Sequence, residues 1–173
     1  RMPLKKVDVK SLDINPFTAI GDDWMLVTAG DAASHNTMTA SWGGLGVLWG
    51  APVATCYIRQ SRYTKEFVDG SDLFTLSFLD PAVWRRQLSY LGRVSGRDED
   101  KIKATGLTPV AVDGTTTFAE ARLTLVCRKA YATYLGPEGF VAQPGTADDA
   151  RWYQDHDYHT MYIGKIEHAY VAE

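Results

Sequence analysis

Apolar positions along this chain recur mostly with a period of two. Leu73–Phe78 (LFTLSF) alternates large apolar residues with Thr and Ser, the pattern of a half-buried strand. Ala119–Ala130 alternates too: Ala121, Leu123, Leu125 and Cys127 share one face, and Arg122, Thr124, Val126 and Arg128 the other. Trp24–Ala29 (WMLVTA) is a short β-rich run ended by Gly30-Asp31, and Val53–Ile58 (VATCYI) is apolar and β-branched. Thr37–Trp42 is small and polar and leads into Gly43-Gly44 as a turn. Met161–Ile166 and His168–Val171 form a last strand with a charged interruption.

Helical spacing is confined to short stretches. Ser61–Asp69 offers Thr64 as an N-cap, Phe67-Val68 as its apolar contact and Gly70 as a stop. Asp80–Val94 places Val83, Trp84, Leu88 and Leu91 at helical spacing, with Pro81 in the first turn. Arg97–Ala104 (RDEDKIKA) reads as a short exposed helix closed by Gly106. Gly136–Gly145 is a proline- and glycine-rich loop before a polar segment, Thr146–His156. This order lacks the regular strand–helix alternation of a doubly wound fold, and no GxGxxG follows a strand. A mainly β, antiparallel barrel with short helical insertions is the economical reading.

Composition narrows the function classes. With 173 residues, 45% hydrophobic and 23% charged, the chain is expected to form one globular domain over 1–173. The net charge of −3 and scattered Lys and Arg leave no basic footprint for nucleic acid. No apolar run is long enough to span a bilayer, and the start, RMPLKKVDVKSLDINPF, lacks the apolar region of a secretory signal. Arg1 is given no role. Cys56 and Cys127 sit in apolar runs without a Cys or His at ligand spacing, which suits buried thiols in a reducing cytoplasm. His156 and His159 are three apart with no further ligand placed, so no metal is expected. No G-x-S-x-G elbow supports hydrolase chemistry.

The chemistry concentrates between His35 and Thr64, HNTMTASWGGLGVLWGAPVATCYIRQSRYT. Ser, Thr and backbone N–H groups suit phosphate oxygens, and Arg59 and Arg62 add planar forks of donors. Trp42, Trp49 and Tyr63 offer flat apolar faces. Together they suit an aromatic molecule with an anionic tail; a flavin mononucleotide fits, and so does another nucleotide. The residue types alone also allow plainer roles. Arg59, Ser61, Arg62 and Thr64 would serve as helix cap and surface ion pairs, Ser95 as an N-cap, and the tryptophans as core or dimer packing.

Four stretches in order resemble the flavin reductase-like, FMN-binding split-barrel family, whose relatives include flavoredoxin. They are Asn36–Gly44 (NTMTASWGG), Pro52–Thr64 (PVATCYIRQSRYT), Leu91–Lys101 (LGRVSGRDEDK) and His159–Ile166 (HTMYIGKI). The resemblance implies a split β-barrel homodimer with non-covalent FMN at the dimer interface. It implies that the isoalloxazine lies along Thr39, Ala40, Ser41 and Trp42, and the phosphate near Arg59, Ser61, Arg62, Tyr63 and Thr64. It further implies that Ser95, Gly96, Arg97, Asp98 and Lys101 close over the flavin. His159 matches a histidine on the nicotinamide or substrate side, the catalytic candidate here. Relatives often read Gly-Asp-His where this chain has Asp157-Tyr158-His159. The implied reaction is hydride transfer from NADH or NADPH to flavin N5, then onward to a redox partner or small-molecule acceptor. The alternative is an FMN-containing electron carrier, as flavoredoxin-like relatives suggest, with no direct NAD(P)H oxidation.

Overall fold

The computed structural model describes residues 4–141 and 147–173. In chain order, five strands and two helices come first: β1 (Leu4–Val7), α1 (Pro16–Gly21), β2 (Met25–Gly30), β3 (His35–Ala40), β4 (Gly43–Leu48), β5 (Ala51–Arg59) and α2 (Tyr63–Asp69). Then follow β6 (Leu73–Phe78), α3 (Pro81–Arg93), α4 (Lys101–Thr105), β7 (Pro109–Val112), β8 (Thr115–Phe118), β9 (Leu123–Leu135), α5 (Ala147–Trp152) and β10 (His159–Ala172).

Eight strands form one antiparallel sheet in the order β3-β2-β6-β9-β10-β5-β4, with β1 added on β10. β10 is the hub, pairing with β9 along its length, with β5 through its first half and with β1 through its second. Its register shifts between Ile163 and Gly164 and again between Ile166 and His168. Bulges of this kind raise local twist and let a sheet coil. The coiled sheet encloses one core, in which Met25, Cys56, Leu76, Leu125 and Tyr162 from five strands meet α1 and α2. The result is a mainly β, antiparallel split barrel with a few short helices.

A second apolar cluster lies outside the barrel wall. Leu26 and Leu79 meet Leu88 and Leu91 of α3, Ile102 of α4, and Phe118 of β8. The β7–β8 hairpin covers the wall here, and the even periodicity did not reveal it. Its signal was Asp113-Gly114 between β-branched residues. Both adopt positive φ (47° and 86°), as a tight two-residue hairpin turn demands. The hairpin explains why Leu123–Cys127 is buried on both faces, although the alternation suggested one open face. Its hydroxyls meet those of the wall: Thr117 Oγ1 lies 2.7 Å from Thr124 Oγ1 and 2.9 Å from Ser77 Oγ.

Other sequence expectations shift. Gly43-Gly44 begins β4 instead of forming a turn, and the turn falls at Trp49-Gly50, both at positive φ. A Cβ on Gly43 would lie 2.8 Å from Met25 Cε and from Thr55 O, so only glycine fits that close approach. α2 starts at Tyr63, with Arg62 at the N-cap and no side-chain cap. Thr64 is therefore not a cap; it is buried, and its Oγ1 accepts from Asn36 Nδ2 at 2.8 Å. α4 is shorter than expected and is capped by Asp100, and its Lys101 and Ile102 are buried, not exposed. β9 runs past Ala130 to Leu135 because β10 pairs with it that far. The polar segment after the 136–145 loop holds α5; positions 142–146, like Arg1, lie outside the described residues. Both cysteines are free and buried, and burial pushes the Cys56 thiol up to about 12. No helix among the described residues is long and apolar enough to cross a membrane.

Gly164 marks the tightest point of the hub. A Cβ there would lie 2.7 Å from Phe74 Cζ and 2.8 Å from Cys127 Cβ. Gly164→Ala should destabilise the barrel by about 1–3 kcal/mol, the usual cost of overpacking. Urea unfolding would read this as a lower midpoint at unchanged m-value, and an unchanged midpoint would refute it.

Candidate functional site

Five segments converge at one end of the barrel: the residues after β3, the turn after β5, the start of α2, the α3–α4 connection and the α5–β10 junction. The antiparallel register makes this unavoidable, since His159 at the head of β10 pairs with both Arg59 and Leu135.

Arg62 is the most telling side chain. Its Nη1 donates to the Gly92 carbonyl at 2.7 Å, but its Nη2 is buried with no hydrogen-bond partner among the described residues. Burial lowers its pKa from the usual guanidinium value. Beside it is a cavity of about 200 Å³ whose lining includes Asn36, Ser61, Tyr63, Thr64, Ser95 and Lys101. Gly96 lets the 95–97 turn lie close over this region, because a Cβ there would sit 2.3 Å from Asn36 Oδ1. Ser95 is no helix N-cap; its Oγ accepts from the Arg97 N–H at 3.1 Å within that turn. Arg97 joins the turn to α2: Nη1 donates to Ser61 O at 3.1 Å, Nη2 lies 3.3 Å from Glu66, and Cζ lies 4.7 Å from the Tyr63 ring centre.

Four other expected site residues, Lys101 and Asp98 of the closing block and Arg59 and Ser61 of the phosphate side, are engaged within the fold. Lys101 is buried, and its Nζ donates to Leu91 O and Val94 O, each at 2.9 Å. Burial, then the nearby Arg62 charge, holds its pKa down to about 8. It therefore caps the end of α3 and does not reach out as a surface cation. Asp98 is exposed and enters the turn through its backbone N–H to Ser95 O at 3.1 Å. Arg59 donates Nη1 to Asp157 O at 2.7 Å and Nη2 to Trp152 O at 3.1 Å, with Cζ 5.1 Å from the Tyr153 ring centre. It clips the α5–β10 junction onto the barrel. Ser61 is likewise engaged, its N–H to Asp157 Oδ1 at 3.1 Å and its hydroxyl to Oδ2.

On the expected ring side, the side chains of Thr39 and Ala40 are engaged within the fold. Thr39 Oγ1 donates to Leu88 O of α3 at 2.5 Å, and Ala40 packs in the barrel core. Ser41 and Trp42 lie between the β2–β3 and β4–β5 ladders, so their N–H groups are not committed to strand pairing. Trp42 is 38% exposed, and its ring centre lies 5.1 Å from Trp152 and 5.2 Å from His159. Trp49 is exposed at the β4–β5 turn, 6.4 Å from Tyr131, so it is not a core residue.

His159 is only 6% exposed, and its Nδ1 shares a 2.6 Å hydrogen bond with Tyr153 Oη. Burial, then Arg59, pushes its pKa down to about 4, so it is neutral near pH 7. It is packed between Trp42 and Tyr153. The open space next to it is a cavity of about 460 Å³ walled by Trp42, Tyr134, Phe140, Trp152 and Tyr153, with Glu138 and Asp148 among its lining. Trp152 at the end of α5 and Tyr153 just after it carry no motif; their one signal was an aromatic pair inside an otherwise polar stretch.

A family model described as flavin reductase like domain matches residues 19–173. Among solved structures, the chain is similar to flavoredoxin of Desulfovibrio vulgaris (Miyazaki F), with TM-score 0.67 and 23% identity over 98% of this chain and 78% of that one. It is also similar to an FMN-binding domain of a flavin reductases-like enzyme from Shewanella baltica OS155, with TM-score 0.68 and 16% identity over 98% and 77% of the two chains. Nitrilotriacetate monooxygenase component B from Bacillus cereus gives TM-score 0.66 and 16% identity over 96% and 81%. At these identities the likeness is one of fold. No curated protein matches the chain. The family match covers nearly the whole sequence, and the chain belongs to the flavin reductase-like domain family.

Proposed function

We propose that this chain binds FMN without a covalent link and acts as a flavin reductase-like oxidoreductase, taking electrons from NADH or NADPH and passing them to a second acceptor. The observation that carries the reading is Arg62 Nη2, a buried cationic donor with no partner among the described residues, beside a cavity lined by Ser61, Thr64 and Ser95. A buried donor left unpaired is costly, and a phosphate oxygen would satisfy it. Gly96 supports the fit, since a Cβ there would strike Asn36 Oδ1, and Asn36 lines the same cavity.

Bound FMN would supply reversible two-electron chemistry that the side chains here lack. Arg62, Ser95 and the Arg97 turn would hold its phosphate end. The N–H groups of Ser41 and Trp42, outside both strand ladders, would face the polar edge of its ring. The aromatic cavity beside Trp42 suits a second planar ring, uncharged or cationic given Glu138 and Asp148, and nicotinamide is such a ring. His159 would hold Tyr153 and Trp42 in place while remaining uncharged. Exposed Val47, Leu48, Trp49, Tyr131, Tyr134 and Leu135 offer an apolar face that a second copy would cover, consistent with a homodimer carrying FMN at its interface. Two buried free cysteines suit a cytoplasmic setting.

The direct test is an anaerobic visible spectrum of the protein with FMN, before and after NADH or NADPH. Flavin absorbance that binds and then bleaches supports the reductase. Bound flavin that stays oxidised until dithionite is added favours the electron-carrier alternative, and no bound flavin refutes the reading. Arg62→Met should weaken FMN binding about tenfold, the value of one charge-assisted hydrogen bond. Flavin fluorescence titration of the folded variant would detect it, and an unchanged affinity would remove Arg62 from the site.

His159 also predicts an acid limit. Its pKa is about 4 in the fold against an ordinary 6.5, so between these values the unfolded chain binds more protons. Its contribution to stability is complete above pH 6.5 and is lost as pH falls through 4. The loss should be on the order of 3 kcal/mol. Urea unfolding at pH 7 and pH 4.5 should show a smaller drop for His159→Gln than for the parent, and equal drops would contradict it.

A further inference from the structure

The Asp157 carboxylate is seated on the donors of the turn after β5. Oδ1 accepts from the Ser61 N–H at 3.1 Å, and Oδ2 meets the Ser61 hydroxyl. The surrounding backbone locks it there: Arg59 Nη1 donates to Asp157 O at 2.7 Å, and the Gln60 N–H donates to Tyr158 O at 3.1 Å. An N–H and a hydroxyl converging on one anion is the donor set that a phosphate oxygen uses. Here the chain fills that set with a negative charge of its own. Arg62, next in sequence, is near enough that this charge opposes the lowering of its pKa by burial.

A phosphate entering the cavity beside Arg62 therefore meets two opposed influences. The unpaired Nη2 attracts it. The Asp157 carboxylate repels it and holds the Ser61 donors that would otherwise join in. A flavin ending in a neutral ribityl hydroxyl feels neither strongly. Resting on the flavin reading above, we infer that Asp157 is a specificity-determining residue at the phosphate end, and that it makes this chain discriminate only weakly between FMN and riboflavin.

Fluorescence titration with FMN and with riboflavin, at one fixed ionic strength, tests this on the parent, Asp157→Asn and Asp157→Gly. The Asn variant keeps an acceptor for the Ser61 N–H and removes the charge. The parent should bind the two flavins within about fivefold of each other. Each variant should bind FMN about tenfold more tightly while riboflavin changes less than twofold. An FMN preference of a hundredfold in the parent, or a ratio unmoved in both variants, overturns the role of Asp157 and leaves flavin binding intact. Failure of all three proteins to bind either flavin overturns the flavin reading and this inference with it.

Discussion

The pairing of β10 with its neighbours is the constraint on which the rest of the molecule depends. β10 is the strand that bonds β9, β5 and β1, and it joins the half of the sheet that reaches β3 to the half that ends at β4. Antiparallel register is discrete: a slip of one residue would exchange the core and solvent faces. With Tyr162 inside and Gly164 pressed against Phe74, slippage in either direction meets a steric or solvation cost. The same register sets His159 opposite Arg59 and so assembles the candidate site from distant segments, such as Arg59 and Asp157, 98 residues apart.

Outside the wall, a second layer stiffens the same sheet. The Thr- and Ser-rich side of β6 and β9 would be a polar strip facing water if left bare. The β7–β8 hairpin converts it into a buried seam in which Thr75, Ser77, Thr117 and Thr124 satisfy one another or nearby backbone. Such networks keep a layer in one register because a shift would leave hydroxyls unpaired in an apolar setting. α3 completes the layer, and its Leu88 carbonyl, bonded by Thr39, ties it to the edge strand next to Trp42.

Electrostatics divides the basic residues of the site by what they hold. Arg59 binds two carbonyls of the α5–β10 junction, Lys101 binds two carbonyls at the end of α3, and Arg97 bridges Ser61 and Glu66. Lys101 also lines the cavity beside Arg62. Arg62 alone of this group keeps a buried nitrogen without a partner among the described residues. The neighbouring carboxylate of Asp157 makes that nitrogen part of a balanced site, not an isolated positive pocket.

Local pattern alone determined much about this protein. Alternation exposed most of the strands, because a half-buried strand must repeat every two residues. The order of four motif stretches pointed to the split barrel, a fold and family that the comparisons bear out. Helix α3 followed from Pro81 and the spacing of Leu88 and Leu91, and the two cysteines read correctly as buried thiols. Tertiary structure decided the rest. Whether Gly43-Gly44 turns or runs as a strand depends on Met25 and Thr55 across the fold. Whether Lys101 is a surface cation or a buried cap depends on two carbonyls of another helix. Arg59, Ser61 and His159 were legible as candidate site residues, but their partners Asp157, Trp152 and Tyr153 lie on a segment with no periodicity to reveal it. A side chain's type is written in the chain, whereas its hydrogen-bond partner is chosen by segments far away in sequence that the register of β10 brings beside it.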